Sequence, residues 1–467
     1  MTDINYMLTW NWLSSSPLLA AAREVAPESN AEEGTLILAG VLLSLVIIYF
    51  ASKLGGEVCS RINLPPVLGE LVGGVLIGIS AFRLLVFPET CAAEDSLIIS
   101  MLQNTAGLPT EAATSVFSAQ SEVITLLSEL GVIILLFEIG LESDLKELIR
   151  VGPIAAVVAV VGVIAPFITG TVGLIYIFHT PVIPAVFAGA ALTATSIGIT
   201  AKVLAELGQL SSEEGQIIIG AAVLDDILGI VVLAVVASLV KTGEIQVSNI
   251  IYLVISAAVF LIGSILLGRL VSPLIVGLVN EMKTRGEVLL TGLVFAFILS
   301  YVATVINLEG ILGAFAAGLI LAETEKRKEL EEQIIPVADF LVPIFFVCVG
   351  AKTDLSVLNP TVASNREGLI IATFLILVAI LGKVITGFTV FGNDSLNKLA
   401  IGVGMIPRGE VGLVFAGVGS ASGALSEATE AAIIVMVIAT TFVAPPLLRL
   451  VFREPETVAQ SVDKVQE

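Results

Sequence analysis

The sequence predicts an all-α polytopic membrane protein with about 13 transmembrane helices, arranged as two inverted repeats with two discontinuous crossing helices. Three observations lead to this fold class. First, 56% of the 467 residues are hydrophobic, the mean hydropathy is +1.03, and only 14% of residues are charged, about half the share in a soluble domain. Second, apolar stretches of spanning length recur along the chain. Third, two of these stretches are interrupted by small, hydroxyl-bearing or helix-breaking residues.

The candidate spans follow from apolar length, because about 20 residues of α-helix cross the hydrocarbon core of a bilayer. In chain order they are stretches 35–52, 66–87, 121–141, 151–178, 181–207, 215–240, 249–276, 286–306, 309–323, 335–351, 367–391, 398–420 and 427–452. We number them one to thirteen. Stretch nine is short for a span.

The distribution of Lys and Arg predicts the orientation, since these residues are enriched in cytoplasmic loops. If the chain starts outside, 15 of the 22 Lys and Arg lie inside and five lie outside or at outer helix ends, while Lys383 and Arg408 lie within the membrane. The sequence therefore predicts an outer N-terminus, an inner C-terminus and an outer acidic loop over 88–120.

Two adjacent acids, Asp225 and Asp226, lie near the middle of stretch six. Charged carboxylates in hydrocarbon would each cost several kcal/mol, so acids at this depth indicate an ion or proton pathway. Neighbours on a helix point about 100° apart, so one aspartate can face a cation on another helix while the other faces a cavity. The alternative is a helix end or a re-entrant loop, where the acids face water and take no part in transport.

Two stretches carry signals for an interruption. Stretch five contains Thr193, Thr195 and Ser196 in a segment rich in Thr, Ser and Gly, which let a helix unwind and offer oxygen ligands. Stretch twelve contains Pro407 among glycines, which predicts a second break. Two breaks at matching places indicate inverted repeats with an ion site where the broken helices cross. Small residues for close helix packing are the alternative for stretch five alone.

Two cations lie within the predicted membrane region. Lys383 in stretch eleven can pair with one of the two aspartates, and a lysine that snorkels toward the helix end is the alternative. Arg408 in stretch twelve keeps its charge and therefore needs a carboxylate, for which Glu70 and Glu410 are candidates. We expect the Arg408 pair to be structural rather than to bind substrate.

Composition and motifs exclude several classes of function. The net charge of −20 and the lack of a basic stripe argue against nucleic acid as a partner. The three cysteines form no close-spaced pair, so neither a disulfide framework nor a zinc site is expected. The sequence holds no Ser-His-Asp set or phosphate-binding loop, so we expect neither an enzyme nor a cofactor. The expected partners are a monovalent cation, the proton and the lipid bilayer.

Five segments stand out as a set, namely 127–142, 194–196, the Asp225-Asp226 pair, 312–318 and 345–350. Together they resemble the monovalent cation:proton antiporter-2 family over roughly 35–452, and the chain is similar to its cyanobacterial members. The resemblance implies a Na⁺/H⁺ antiporter, with Li⁺ as another possible cation and K⁺/H⁺ exchange or K⁺ efflux as the alternative. We expect no nucleotide-sensing C-terminal domain of the kind found in the potassium-efflux branch, which favours sodium. Resemblance to cyanobacterial members leaves both a plasma membrane and a thylakoid membrane open.

The resemblance also implies roles for the candidate residues. Asp226 would be the ion ligand with Thr195 beside it, Asp225 would pair with Lys383, and 193–196 would be the unwound crossover. Members with an Asp-Asp pair are similar to electrogenic antiporters. The subunit would be part of a homodimer in which a six-helix core slides like an elevator against a dimer domain. A passive cation channel and an ion-sensing membrane scaffold are the other functions compatible with buried acids.

The chain divides accordingly into seven parts. These are an N-terminal extension (1–34), a first part of the dimer or scaffold domain (35–141), repeat one of the core transport domain (151–240), a linker helix (249–276), a second part of the dimer or scaffold domain (286–351), repeat two of the core transport domain (367–452) and a C-terminal tail (453–467).

Overall fold

A computed structural model describes residues 28–242, 247–282, 284–361, 363–390 and 396–452. Residues 1–27 of the predicted N-terminal extension and the predicted tail 453–467 lie outside the described residues. Within the described ranges the chain folds into α-helices joined by short connections, and these ranges contain no β-strand. The predicted all-α class is therefore confirmed.

The helices of the described ranges are named here in chain order. They are α1 (Glu28–Arg61), α2 (Pro66–Ile77), α3 (Leu97–Ala106), α4 (Ala113–Glu142), α5 (Leu145–Ile177), α6 (Val182–Ala191), α7 (Ile197–Glu206), α8 (Glu213–Thr242), α9 (Val247–Glu281), α10 (Glu287–Val305), α11 (Gly310–Ala322), α12 (Arg327–Ala351), α13 (Ala363–Gly387), α14 (Lys398–Gly404), α15 (Glu410–Ala421) and α16 (Glu427–Val451).

Nine helices of the described ranges are long and apolar enough to cross a membrane: α1, α4, α5, α8, α9, α10, α12, α13 and α16. The remaining predicted stretches correspond to shorter helices, namely α2, the pair α6 and α7, α11, and the pair α14 and α15. The chain is thus a multi-pass membrane protein. The total of thirteen spans stays a prediction.

The second predicted stretch, 66–87, is helical only over Pro66–Ile77. The chain leaves the helix at Gly78, whose backbone lies so close to Ala351 at the end of α12 that a side chain would overlap it. The backbone N–H of Ile79 then donates to the Ala351 carbonyl at 3.2 Å. Packing against α12 therefore ends a helix that hydropathy alone would extend.

The predicted outer loop 88–120 contains more helix than its composition indicates. Ser96 caps α3 by accepting a hydrogen bond from the N–H of Ile99, and Gly107 ends this helix in the left-handed conformation, with φ of 71°. Helix α4 then begins at Ala113, about two turns before the apolar run from which stretch three was predicted.

Helices α1, α2, α4, α10, α11 and α12 form a first bundle, with α4 packed against both α11 and α12 at its centre. Gly140 of α4 and Gly318 of α11 face each other, and a side chain at either position would overlap the backbone of the opposite helix. Small residues permit this close approach, which is how helices attract one another in lipid. Apart from the first turns of α1, which begin in the predicted N-terminal extension, these helices correspond to the ranges predicted for the dimer or scaffold domain. The domain assignment stays a prediction.

Helices α5 to α8 and α13 to α16 form a second bundle. In it, α5 packs along α8 and α13, and α13 packs along α16, while the short helices α6, α7, α14 and α15 complete its interior. Helix α9 contacts α8 of this bundle as well as α10 and α11 of the first. The second bundle comprises the ranges predicted as the two core repeats.

Both predicted interruptions occur. Helix α6 ends at Ala191 and α7 begins at Ile197, while α14 ends at Gly404 and α15 begins at Glu410. In the second interruption Pro407 has no N–H to donate and disfavours helical geometry in the residue before it. These chemical causes are local, so both breaks could be predicted from the sequence.

Candidate functional site

The two interruptions lie against each other and are joined by hydrogen bonds. The N–H of Ser196 donates to the Pro407 carbonyl at 2.8 Å, and the hydroxyl of Thr200 donates to the Gly404 carbonyl at 2.9 Å. Backbone groups freed by unwinding thus find partners across the crossing, as they must at membrane depth. Four helix ends meet here, namely the C-termini of α6 and α14 and the N-termini of α7 and α15. Partial negative and partial positive charges therefore surround the crossing.

Asp225 occupies a charge-compensated position beside the crossing. Its Oδ2 accepts a hydrogen bond from Lys383 Nζ at 2.8 Å and another from the Thr195 hydroxyl at 2.5 Å. Asp225 and Lys383 are completely buried. A buried charge without its partner is strongly destabilising, so each of the two ions depends on the other. The structure therefore places Lys383 against the aspartate that the family resemblance assigns to it.

Asp226 follows in the same helix but lines a cavity. Only 4% of the surface of Asp226 is exposed. The cavity beside it has a volume of about 20 Å³, which is room for about one water molecule. The cavity is lined by Val132, Ala194, Thr195, Ser196, Ile197, Gly198, Asp226, Glu309, Ile311, Phe345, Gly409 and Val411. Adjacent aspartates thus have different surroundings, an ammonium group for Asp225 and a narrow cavity for Asp226.

The hydroxyl groups predicted as ion ligands are in different places. Thr195 and Ser196 line the cavity of Asp226. Thr193 is buried and turns back on α6, where its hydroxyl donates to the Ala190 carbonyl at 2.7 Å. Because the Thr195 proton is donated to Asp225, only its oxygen lone pairs are left for a cation. The structure brings Thr195 and Ser196, but not Thr193, to the cavity.

Arg408 of the second interruption forms hydrogen bonds with the first. The guanidinium is completely buried, and its Nη1 donates to the Ala194 carbonyl at 3.1 Å. The same nitrogen lies 3.4 Å from both the Thr195 hydroxyl oxygen and the Met405 carbonyl oxygen. The Arg408 carbonyl in turn accepts a hydrogen bond from the Thr441 hydroxyl on α16 at 2.5 Å. These contacts are structural, because they go to backbone and hydroxyl oxygens of the crossing itself.

The expected pairing of Arg408 with Glu70 does not occur, and this corrects the sequence-based interpretation. Within the described residues the hydrogen bonds of the Arg408 guanidinium go to the crossing, whereas Glu70 Oε1 accepts from the Ser52 hydroxyl at 2.9 Å. Glu70 belongs to α2 of the first bundle, whereas Arg408 belongs to the second bundle. The sequence does not show which helices pack into which bundle, so it could not exclude this pair. The side chain of Glu410, the other expected partner, lies outside the described residues.

Glu309 is a residue of the cavity that sequence reasoning missed. It directly precedes α11 of the first bundle, yet it lines the same cavity as Asp226 of the second bundle. The only hint in the sequence was a single acid directly after Leu308, at the first position of stretch nine. A single acid at such a position is also typical of an ordinary loop. Its neighbour across the cavity, Asp226, is more than 80 residues away in sequence, so the sequence does not indicate that the two acids lie together.

A larger cavity of about 440 Å³ lies at the other end of α11, between the two bundles. Its lining includes four acids and one base, which are Glu138 and Glu142 of α4 and Arg327, Glu331 and Glu332 of α12. Ala205 near the end of α7 and Gly208 just beyond it also line the cavity. An acidic wall of this kind raises the local concentration of cations. The crossing is therefore flanked by an acidic cavity on one side and by Glu309 on the other.

Comparisons with known proteins connect this geometry to a family. The model of the family described as "Sodium/hydrogen exchanger, transmembrane" matches residues 36–454. The chain is 74% identical over 437 residues to the high-affinity Na⁺/H⁺ antiporter NhaS3 of Synechocystis sp., a match that covers 93% of this chain and 94% of that protein. It is 32% identical to the Na⁺/H⁺-K⁺ antiporter GerN of Bacillus cereus over 87% of this chain and 95% of GerN.

Among solved structures, the chain is similar to the sodium proton antiporter MjNhaP1 of Methanocaldococcus jannaschii. The TM-score is 0.58 at 17% sequence identity, with 89% of this chain and 96% of that chain covered. At this level of identity the similarity shows a shared fold.

Proposed function

The chain belongs to the sodium/hydrogen exchanger family, and we propose that it exchanges Na⁺ for H⁺ across a membrane as a secondary active antiporter. The single observation that carries this proposal is the position of Asp226. A carboxylate that is 4% exposed lines a cavity of about 20 Å³ directly beside the buried pair of Asp225 and Lys383. Such a carboxylate can hold a proton or a desolvated cation but not both at once.

Competition for Asp226 is sufficient for exchange. Na⁺ is a hard cation that prefers oxygen ligands, and the lone pairs of Thr195 and Ser196 lie in the same cavity. Cation entry displaces the proton from Asp226 on one side of the membrane, and protonation releases the cation on the other. The helix ends at the crossing reduce the cost of removing water from the ion. Na⁺ and H⁺ are thus the transported substrates, and the proposal requires no resident cofactor.

The pair formed by Asp225 and Lys383 is proposed to make the exchange electrogenic. Lysine can release its proton in a buried site, whereas arginine stays charged. If Na⁺ at Asp226 displaces protons from Asp226 and also from Lys383, more positive charge moves as H⁺ than as Na⁺. In this proposal Arg408 keeps its charge throughout and stabilises the crossing.

Movement is proposed to occur between the two bundles. The second bundle carries Asp225, Asp226, Lys383 and the crossing, while the first bundle contributes part of the cavity wall. We propose that the second bundle is the transport domain, that it slides like an elevator, and that the first bundle forms the interface of a homodimer. The crossing would then face the two membrane surfaces in turn, since its hydrogen bonds hold it together as a unit.

The proposed orientation places the N-terminus outside and the C-terminus in the cytoplasm, with the chain in a plasma or thylakoid membrane. Under this orientation the 440 Å³ acidic cavity opens to the cytoplasm and the turn between α10 and α11 faces outward. The excess of Lys and Arg in the proposed inner loops supports this assignment.

Na⁺ is the proposed cation, with Li⁺ as a close chemical substitute. K⁺ is the second candidate, because the name of the related GerN includes K⁺. The test is dissipation of a preset pH gradient in proteoliposomes on addition of NaCl, LiCl, KCl or choline chloride. We expect a response to Na⁺ and Li⁺ that is absent in Asp226→Asn. Cation flux without any coupled proton movement would instead indicate a passive channel, and no flux with any cation would contradict the proposal.

A further inference from the structure

We infer that Glu309 is a relay carboxylate for the transported cation, which it accepts from the membrane face of the α10–α11 turn and passes to Asp226 on the opposite bundle. This inference rests on the proposed exchange at Asp226. It adds a residue of the first bundle to an ion path whose other acids, Asp225 and Asp226, both belong to the second.

Glu309 is shielded from water to an unusual degree for a residue between two helices. Helix α10 has 19 residues and rises about 28 Å, so the turn after it lies far from the charged segment 281–287 that precedes this helix. Glu309 is nevertheless half-buried, and it lines the cavity of Asp226. A half-buried carboxylate beside such a cavity marks a pathway rather than a solvated loop.

The cavity places this carboxylate opposite the ion site. Glu309 and Asp226 line the same cavity of about 20 Å³ from opposite bundles, with Ser196 and Phe345 also in its wall. A cation bound at Asp226 in this cavity therefore lies in the same small space as Glu309. Two carboxylates in a wall of this size can share one desolvated cation during the transfer.

The charge around Glu309 favours a cation over a permanent partner. Within the described residues no lysine or arginine forms an ion pair with Glu309, and the carboxylate of Glu129 on α4 adds negative charge near it. Glu129 precedes Val132 of the cavity wall by three residues, so the two lie on the same face of α4. Asp225, in contrast, is already neutralised by Lys383. The negative potential on this side of the cavity is therefore available to attract a mobile cation.

The test compares Glu309→Gln with wild type in proteoliposomes of known orientation, with Na⁺ added to one face at a time. Glutamine keeps the size of the side chain and removes its charge. For Na⁺ added at the face of the α10–α11 turn, we expect the apparent KM to rise about tenfold, because the local enrichment of cations is lost. The maximal rate should stay within about twofold, since Asp226 and its proton are intact. For Na⁺ added at the other face, the KM should change little.

A matched control and a second variant make the result specific. Glu122→Gln removes an exposed acid of α4 about two turns before Glu129 that does not line the cavity, and its KM should equal that of wild type at both faces. Glu309→Ser places a residue suited to a helix N-terminus at the same position, so it replaces Glu309→Gln if that variant does not fold. It should show the same one-sided change in KM, and Glu309→Asp should restore most of the affinity.

Three results would overturn the relay. These are an unchanged KM at both faces, an equal rise at both faces, or a wild-type KM in the Glu309→Ser variant. If wild type is active and Asp226→Asn is inactive while Glu309→Gln behaves as wild type, only the relay is wrong. If wild type itself shows no Na⁺-driven proton flux, the proposed function fails and the relay fails with it.

Discussion

Lys383 Nζ lies 2.8 Å from Asp225 Oδ2, and neither side chain is accessible to solvent. This contact joins α13 to α8 across 158 residues of sequence and gives one member of the aspartate pair a counter-charge. Its neighbour Asp226 lines a cavity. The two adjacent aspartates therefore have different electrostatic surroundings, and each ion of the buried pair depends on its partner.

Replacement of Asp226 by Asn should abolish exchange while the protein keeps its fold. An amide cannot trade a proton for a cation, and removal of a buried charge does not destabilise the apolar surroundings. Sodium-driven proton flux in proteoliposomes measures the first effect, and gel filtration with thermal unfolding in detergent measures the second. Normal flux in a folded Asp226→Asn protein would contradict the assignment of the ion site.

Thr195→Val should weaken apparent Na⁺ affinity about tenfold, since it deletes one oxygen of the cavity and a hydrogen bond to Asp225, worth on the order of 1 kcal/mol. The matched control is Thr193→Val, because among the described residues the Thr193 hydroxyl donates back to the Ala190 carbonyl of α6. Its affinity should equal that of wild type, and Thr195→Ser should recover most of the loss. Equal affinities in the two valine variants would show that the Thr195 oxygen takes no part in binding.

Lys383→Gln should reduce the charge moved per Na⁺ toward zero while slow exchange persists. The variant removes the lysine that we propose to release a proton but leaves Asp226 intact, and Asp225 is then a buried charge without its partner. The double change Lys383→Gln with Asp225→Asn should be better tolerated than Lys383→Gln alone, because no unpaired acid remains. Transport current on a supported membrane, alongside proton flux under voltage clamp, measures the effect. A full current with unaltered charge per ion would leave Lys383 with a structural role only.

Gly402→Ala should destabilise the second bundle by about 1–3 kcal/mol. A side chain at this position of α14 would overlap the Val384 carbonyl oxygen of α13, next to Lys383, and backbone cannot move aside as a flexible side chain can. Gly152→Ala on α5 is the control, because the space around that position is open, and it should be neutral or slightly stabilising. The apparent Tm in detergent separates the two, and equal Tm values would contradict the close approach of α13 and α14.

Much of the architecture could be predicted from the sequence because its causes are local. Spanning length follows from consecutive apolar residues, and the second break follows from Pro407 and its glycines. The proposed ion site follows from the cost of acids in hydrocarbon. The early end of α2 could not be predicted, because it depends on contact between Gly78 and Ala351, far apart in the chain.

The sequence by itself determined that this protein is all-helical, crosses the membrane many times and carries two adjacent acids in one span with a lysine in another. Only the tertiary structure decided that Lys383 contacts Asp225, that Thr193 turns away from the cavity, and that Glu309 lines it. The physical reason is that composition and periodicity act over a few turns of helix. The partners of a buried charge are set instead by how whole helices pack, and packing brings together residues that the sequence keeps 80 to 160 positions apart.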